Sequence, residues 1–269
     1  MNFNLSRFSL WQSRRLTWAL TSRELKQRYR GTYLGGIWPV INPLIMLVIY
    51  TFVFSYVFKA RWPNINTANS NWEFALILFA GLVPFNFFSE VCNRSPMLMI
   101  NAANYVKKVV FPLEILPVVT VLVAAFNAII NILVLFAGSV ILLKTVSPTI
   151  YQLVLIFPVL VLLNLSLCWI ISALGVYVRD ISHAIIFFVQ LLMFVSPVFY
   201  SPDIIPARFQ TLYQLNPLTF IITSFRQTIL WGENINWLLW IVWLVILLIT
   251  SILSYQIFLR AKRGFADVL

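Results

Sequence analysis

Six long, almost uncharged apolar runs constrain this chain more than any other feature: Ile37–Phe58, Phe74–Cys92, Leu113–Leu143, Thr149–Val178, Ile181–Tyr200 and Trp237–Leu259. Inside them the only Asp, Glu, Lys, Arg or His residues are Glu90, Glu114 and His183. A helix needs about 20 apolar residues to cross the hydrocarbon of a bilayer. The third and fourth runs exceed that length, which predicts tilt or projection beyond the membrane. With 61% hydrophobic and 10% charged residues, a soluble domain of 269 residues could not cover this apolar surface. The runs predict an all-α membrane protein with six transmembrane helices, organised as a single domain over 1–269. "MNFNLSRFSLWQSRRLTWAL" has no continuous apolar stretch and no small-residue cleavage site, so a signal peptide is not expected.

The net charge of +11 is first a matter of topology. Arg7, Arg14, Arg15, Arg23, Lys26, Arg28 and Arg30 precede the first run. Arg94, Lys107 and Lys108 lie between the second and third, Arg179 between the fourth and fifth, and Arg260, Lys262 and Arg263 in the tail. Only Lys59, Arg61, Lys144, Arg208 and Arg226 fall on the other side. The excess of Lys and Arg predicts that both termini are cytoplasmic. Nucleic acid is not needed to explain the basicity.

Residues 1–35 differ from the runs. Phe8, Trp11, Arg15, Trp18, Ser22, Leu25 and Tyr29 follow a 3-4 spacing, with Arg14, Arg23, Lys26 and Arg28 off that stripe. This predicts a helix lying in the cytoplasmic interface, aromatics towards the membrane and arginines towards phosphates. "YLGG" (33–36) then breaks the helix, its paired glycines permitting a sharp turn. The segment 201–236 is rich in proline and apolar residues but poor in charge, which predicts short helices re-entering the membrane under a covering of protein or water.

Motifs for chemistry are sparse. No GxxxxGK[ST], GxSxG or HExxH occurs, so this chain is not expected to hydrolyse ATP itself. Cys92 and Cys168 lie in apolar runs without metal-type spacing. An intramembrane enzyme of lipid-linked sugar metabolism would have to use His183, Asp180 and Arg179, with no clustered partner nearby in sequence. A passive channel or an ion-coupled carrier is a further alternative, and the carrier would place acids near the midplane. Here the acids sit at run ends: Glu90 is spaced to pair with Arg94 one turn on, and Asp180 to cap the fifth helix. Aromatic residues are abundant instead. Tyr50, Phe54, Phe88, Phe194 and Tyr200 are the candidates for lining a substrate channel, since ring faces suit the C–H faces of sugars. Each taken singly fits a lipid-facing belt or helix packing equally well.

Three stretches resemble the membrane subunit of type-2 ABC exporters for polysaccharides, the group that handles O-antigen, capsule and teichoic acid. They are "RELKQRYRGTYLGGIWPVINPL" (23–44), "NAANYVKKVVFPLEILP" (101–117), and "YVRDI" (177–181) with "SPVFYS" (196–201) and "LNPLTFIITSFR" (215–226). The likeness spans nearly the whole chain in order and favours O-antigen over capsule. It implies a homodimer of six-span subunits in a bacterial inner membrane, bound to two cytoplasmic ATP-binding subunits that use ATP and Mg, with no cofactor in this chain. It implies a substrate of polysaccharide on undecaprenyl diphosphate. It further implies a Leu34-Gly35 turn after the interface helix, a coupling segment at 93–112, external gate helices at 201–236 and a cytoplasmic tail at 260–269 outside the bundle of 37–259. On that reading Asn104, Lys107, Lys108 and Glu114 serve coupling to the ATPase, and Arg28, Tyr29, Arg30 and Tyr33 meet the lipid diphosphate.

Overall fold

The computed structural model describes residues 11–30, 33, 35–57, 62, 70–108, 111–144 and 146–269, with the backbone alone at 29, 54–56, 70, 71, 106–108, 203 and 212. Among the described residues it is helical without strands. The helices are α1 (Arg14–Tyr29), α2 (Trp38–Tyr50), α3 (Ser70–Arg94), α4 (Leu98–Asn101), α5 (Ala103–Lys108), α6 (Ile115–Gly138), α7 (Leu153–Tyr177), α8 (Ile181–Val195), α9 (Ala207–Gln214), α10 (Pro217–Arg226), α11 (Trp237–Ala261) and α12 (Phe265–Val268). Wider turns extend α2 through Thr51–Val57, α6 through Ser139–Leu143 and α10 through Gln227–Trp231. Ends fall where local chemistry dictates. Pro217 opens α10 behind Asn216, whose side chain accepts from the Leu218 amide at 3.0 Å. Asn236 caps α11 in the same way at 3.1 Å. Gly35 adopts φ +47° at the turn between α1 and α2.

Among the described residues, five helices are long and apolar enough to cross a membrane: Gly35–Val53, Trp72–Arg94, Ile115–Leu143, Ile150–Tyr177 and Trp237–Val268. The sequence predicts a sixth at Ile181–Tyr200, but α8 has only 15 residues before Ser196 turns extended. At 1.5 Å per residue it reaches about 22 Å, short of the roughly 30 Å hydrocarbon core. Pro197 explains the early stop, because it disfavours helix at Ser196.

α3 is the axis of the bundle. It packs against α2, α6, α7, α8 and α10. From Phe74 to Phe88 every residue is buried except Asn86. Helices in lipid gain little from the hydrophobic effect between them, so close approach by small residues matters more. Ala75 and Ala80 on α3, and Ala124, Ala125 and Ala128 on α6, are buried accordingly. α7 and α11 pack along one another, pinned by the Trp240 indole donating to the Leu155 carbonyl at 2.9 Å. A second apolar cluster gathers Met99, Leu113, Trp169, Val176, Phe258 and Phe265 at the far end of those helices. There Gly175 lies so close to the Pro96 carbonyl that a Cβ would overlap it.

α1 packs on α6 by a face other than the aromatic stripe. Ser13, Thr17 and Thr21 are its buried face, while Trp11 and Trp18 are 74% and 69% exposed. The hydroxyls of Thr17 and Thr21 donate to the carbonyls four residues back, at 3.1 and 2.8 Å. These side chains thus satisfy themselves and present only methyls and a thin profile to α6. Phe8 lies outside the described residues.

Candidate functional site

Asn86, the exposed residue in the otherwise buried stretch of α3, continues along the helix into half-buried Ser89 and exposed Asn93. Offsets of three and four place these on one side. The Asn93 amide donates to the Ser89 hydroxyl at 3.1 Å. α2 and α8 both pack on α3, and both show apolar faces: Phe52 is 61% exposed, Phe187 70% and Phe194 66%. A polar seam therefore runs along α3 among ring-bearing helices. A seam of that kind facing lipid tails would be costly, so it needs water or a partner over it.

The predicted channel residues divide. Tyr50 is half-buried with its ring 6.5 Å from Phe199, and Phe194 lies 6.4 Å from that same ring. Tyr200 donates its hydroxyl to the Phe194 carbonyl at 2.8 Å and shares a 2.7 Å hydrogen bond with Tyr213. Phe88 is 2% exposed, packed 5.9 Å from Phe85, and turns no face to a passage. Two positions on from polar Asn86, it falls on the opposite side of α3. The Phe54 side chain lies outside the described residues.

At the end of the seam, two helices exchange charges. Glu24 and Arg28 are spaced to pair along α1, and Glu90 and Arg94 along α3. The strongest contacts instead cross: Arg28 donates to Glu90, and Arg94 to Glu24. The expected Glu90–Arg94 pair is present as a secondary contact at 3.7 Å. Asn127 of α6 completes the group, its amide 3.2 and 3.4 Å from the two Glu90 oxygens. Among the residues predicted to meet a diphosphate, Arg28 is thus engaged by a carboxylate. Arg30 and Tyr33 are exposed, and the Tyr29 side chain lies outside the described residues. A groove of about 530 Å3 runs along α1, walled by Trp18, Arg23, Lys26 and Arg30.

The predicted coupling residues also separate. Asn104 is exposed on α5, and the side chains of Lys107 and Lys108 lie outside the described residues, as does Leu34 of the turn. Glu114 points inward. It is 4% exposed, its carboxylate accepts from Lys262 at 2.6 Å, and its carbonyl accepts from the Trp169 indole at 3.2 Å. The Tyr177 hydroxyl donates to the Ala261 carbonyl at 2.8 Å. Glu114 is therefore tied to the tail and to α7, and the end of α7 to the end of α11.

His183, Asp180 and Arg179 are exposed. Asp180 occupies the N-cap of α8 but makes no side-chain capping bond. Sequence reasoning missed Arg226. Its side chain is fully buried, donating to the carbonyls of Ile77, Pro197 and Val198 at 3.0, 2.6 and 2.6 Å, with the guanidinium 4.6 Å from the centre of the Trp62 ring.

A family model described as ABC-2 type transporter matches residues 15–230. The chain belongs to the ABC-2 type transporter family. Among its relatives, an O-antigen export system permease protein RfbA from Klebsiella pneumoniae is 27% identical over 93% of both chains. An RfbA permease from Myxococcus xanthus is 31% identical over 81% of both. A polysialic acid transport protein KpsM from Escherichia coli is 24% identical over 80% of this chain and 81% of its own. As an ABC-2 membrane subunit the chain is a transporter component and not an enzyme. The helices that carry the seam and the crossed charges lie within the matched region, whereas Lys262 and the rest of the tail follow it.

Proposed function

We propose that this chain is the permease of an ATP-driven exporter that carries polysaccharide on undecaprenyl diphosphate across a bacterial inner membrane, with O-antigen favoured over capsule. The observation that carries the reading is the seam of Asn86, Ser89 and Asn93, open on a helix otherwise buried from Phe74 to Phe88. Amide and hydroxyl groups offer hydrogen bonds to sugar hydroxyls, and nearby rings offer stacking that grips no single sugar tightly. The likeness to O-antigen permeases over nearly the full chain supports the substrate class.

Two copies form the channel by bringing α2 and α8 together over the seam. Both helices leave most of their apolar surface uncovered, with Val189 as the buried residue of α8. In this reading α8 and the extended chain after it make a sixth crossing. α9 and α10 are external gate helices, and both termini are cytoplasmic. Two ATP-binding subunits dock on the segment 93–112, supplying the ATP and Mg chemistry this chain does not carry out.

The test is single-cysteine labelling at positions 50, 54, 86, 89 and 93 in a background lacking Cys92 and Cys168. The complex is purified with its ATPase partner. A membrane-impermeant thiol reagent should reach 86 and 93 when transport is arrested. If both behave as lipid-buried in every nucleotide state, the seam is not the path.

A further inference from the structure

α5 leans on the tail. It packs chiefly on α4, which precedes it, and on α12, which in turn packs on α7. Phe265, the first residue of α12, is fully buried, although Ala266, Asp267 and Val268 after it are exposed. Its ring meets Phe258 of α11 edge-on at 5.6 Å and lies 6.0 Å from Tyr177 at the end of α7. Met99 of α4 and Leu113 belong to the same cluster, and half-buried Tyr105 of α5 packs against it, its ring 4.8 Å from Phe111. One side chain of the tail thus shares a cluster with α4, α5, α7 and α11. The neighbouring backbone has little room. A Cβ on Gly264 would lie 2.7 Å from the Tyr177 hydroxyl, which itself donates to the Ala261 carbonyl. With Lys262 on Glu114, residues 261, 262, 264 and 265 are each fastened to the bundle.

We propose that the tail is the link through which displacement of α5 reaches α7 and α11, with Phe265 as its positioning residue. The inference rests on the proposed docking of the ATP-binding subunits on the segment 93–112, and it assigns a role to residues beyond the region the family model matches. The other route from α5 into the bundle runs through α4. Helix is broken between α4 and α5 at Ala102, so the chain connection alone lets α5 pivot. Contact with α12 removes that freedom. A close-packed ring passes a displacement on, because a core at crystal-like density has no slack to absorb it. Phe265 touches neither the cargo nor ATP. It acts by keeping α5 in register with the helix ends it must move, and the surrounding fastenings keep α12 from yielding when α5 is pushed.

The experiment uses the complete permease–ATPase complex in nanodiscs and reads ATP hydrolysed per glycan exported, at matched assembly. Phe265→Ala should raise that ratio by about fivefold. Phe265→Leu, which keeps the cluster filled, should restore most of it. Gly264→Ala should raise the ratio too, and adding Tyr177→Phe should reverse that effect, because the atom the new Cβ meets is gone. This pair decides the matter should Phe265→Ala fail to assemble. Ile156→Ala makes a cavity at a fully buried site near the opposite end of α7. It should lower the unfolding midpoint and leave the ratio alone. A second readout needs no cargo. Spin labels at positions 103 and 266, in a background lacking Cys92 and Cys168, should report one distance with and without a non-hydrolysable ATP analogue. Phe265→Ala should make that distance nucleotide-dependent. Unchanged ratios in both Phe265→Ala and Gly264→Ala, or an equal rise in Ile156→Ala, overturn the link. So does a nucleotide-dependent distance in the otherwise unaltered chain. Absence of export from a complex whose label distances behave as expected sinks the export reading alone.

Discussion

Lys262 of the tail and Glu114 at the start of α6 are joined at 2.6 Å, so an ion pair ties the tail to the head of α6. Breaking the pair from the lysine side leaves a carboxylate at 4% exposure without its counter-ion. Lys262→Ala should cost about 1–3 kcal/mol, less than a fully enclosed pair because the lysine is partly solvated. The exchange Lys262→Glu with Glu114→Lys should recover most of that loss. Thermal unfolding of the purified complex reads the stability. The ratio of ATP hydrolysed to glycan exported reads the coupling, and it should worsen in the single variant and improve in the exchange.

Arg226 holds three carbonyls at once, and a lysine cannot reproduce that fork. Arg226→Lys is therefore expected to lose more than about 3 kcal/mol, close to the loss in Arg226→Leu, because buried acceptors go unpaired. Gly81→Ala should act on the same clamp, since a Cβ there would lie 2.5 Å from the guanidinium. Yield of monodisperse protein and midpoint of thermal unfolding check all three variants. Retention of wild-type stability in Arg226→Lys would contradict the clamp.

The Ser13, Thr17 and Thr21 face lets α1 approach α6 closely. Thr21→Leu should overfill that contact and cost about 1–3 kcal/mol. A cysteine at position 13 or 17 should then become reactive to thiol reagents, while a cysteine at exposed position 18 reacts equally in both backgrounds. Unchanged protection at 13 and 17 would show that α1 does not rest on this face.

Within the proposed channel, removing Phe194 alone should impair export little, since one ring contributes about 1 kcal/mol to a distributed surface. Asn86→Leu with Asn93→Leu should impair it more, because the seam loses its hydrogen-bonding groups together. Export of glycan to the outer leaflet, measured at matched permease abundance, decides between them. Equal or greater loss in Phe194→Ala would put the weight on rings.

Sequence made the long helices legible because about 20 uncharged residues have few other ways to satisfy their backbone in a membrane. A helix ahead of the first apolar run was legible too, but the face by which it packs on α6 was not. Threonines at 17 and 21 look polar by type, yet each hydroxyl is spent on its own helix, so the face they form is a packing face. The shortness of α8 was written in Pro197, whose effect on Ser196 outweighed the hydropathy of the following residues. Glu90–Arg94 spacing was visible, but the crossing to Arg28 and Glu24 needs the docking of α1 on the bundle, which no local spacing encodes. Lys107 and Lys108 stood out as paired charges, whereas Lys262 did not, because its partner lies 148 residues away. Arg226 counted as one more loop charge until its three acceptors were seen to come from two distant segments.

The clamp at Arg226 also sets an order on biosynthesis. Its acceptors lie 149, 29 and 28 residues earlier in the chain. When α10 leaves the ribosome, its guanidinium has no partner on its own helix, and an unpaired arginine is among the least welcome groups in hydrocarbon. α10 can therefore settle only after α3 is already in place to offer Ile77 and the chain after α8 has presented Pro197 and Val198. Completion of the Arg226 end of the bundle is thereby tied to correct placement of its central helix, and a subunit with α3 misplaced is left carrying an uncompensated positive charge.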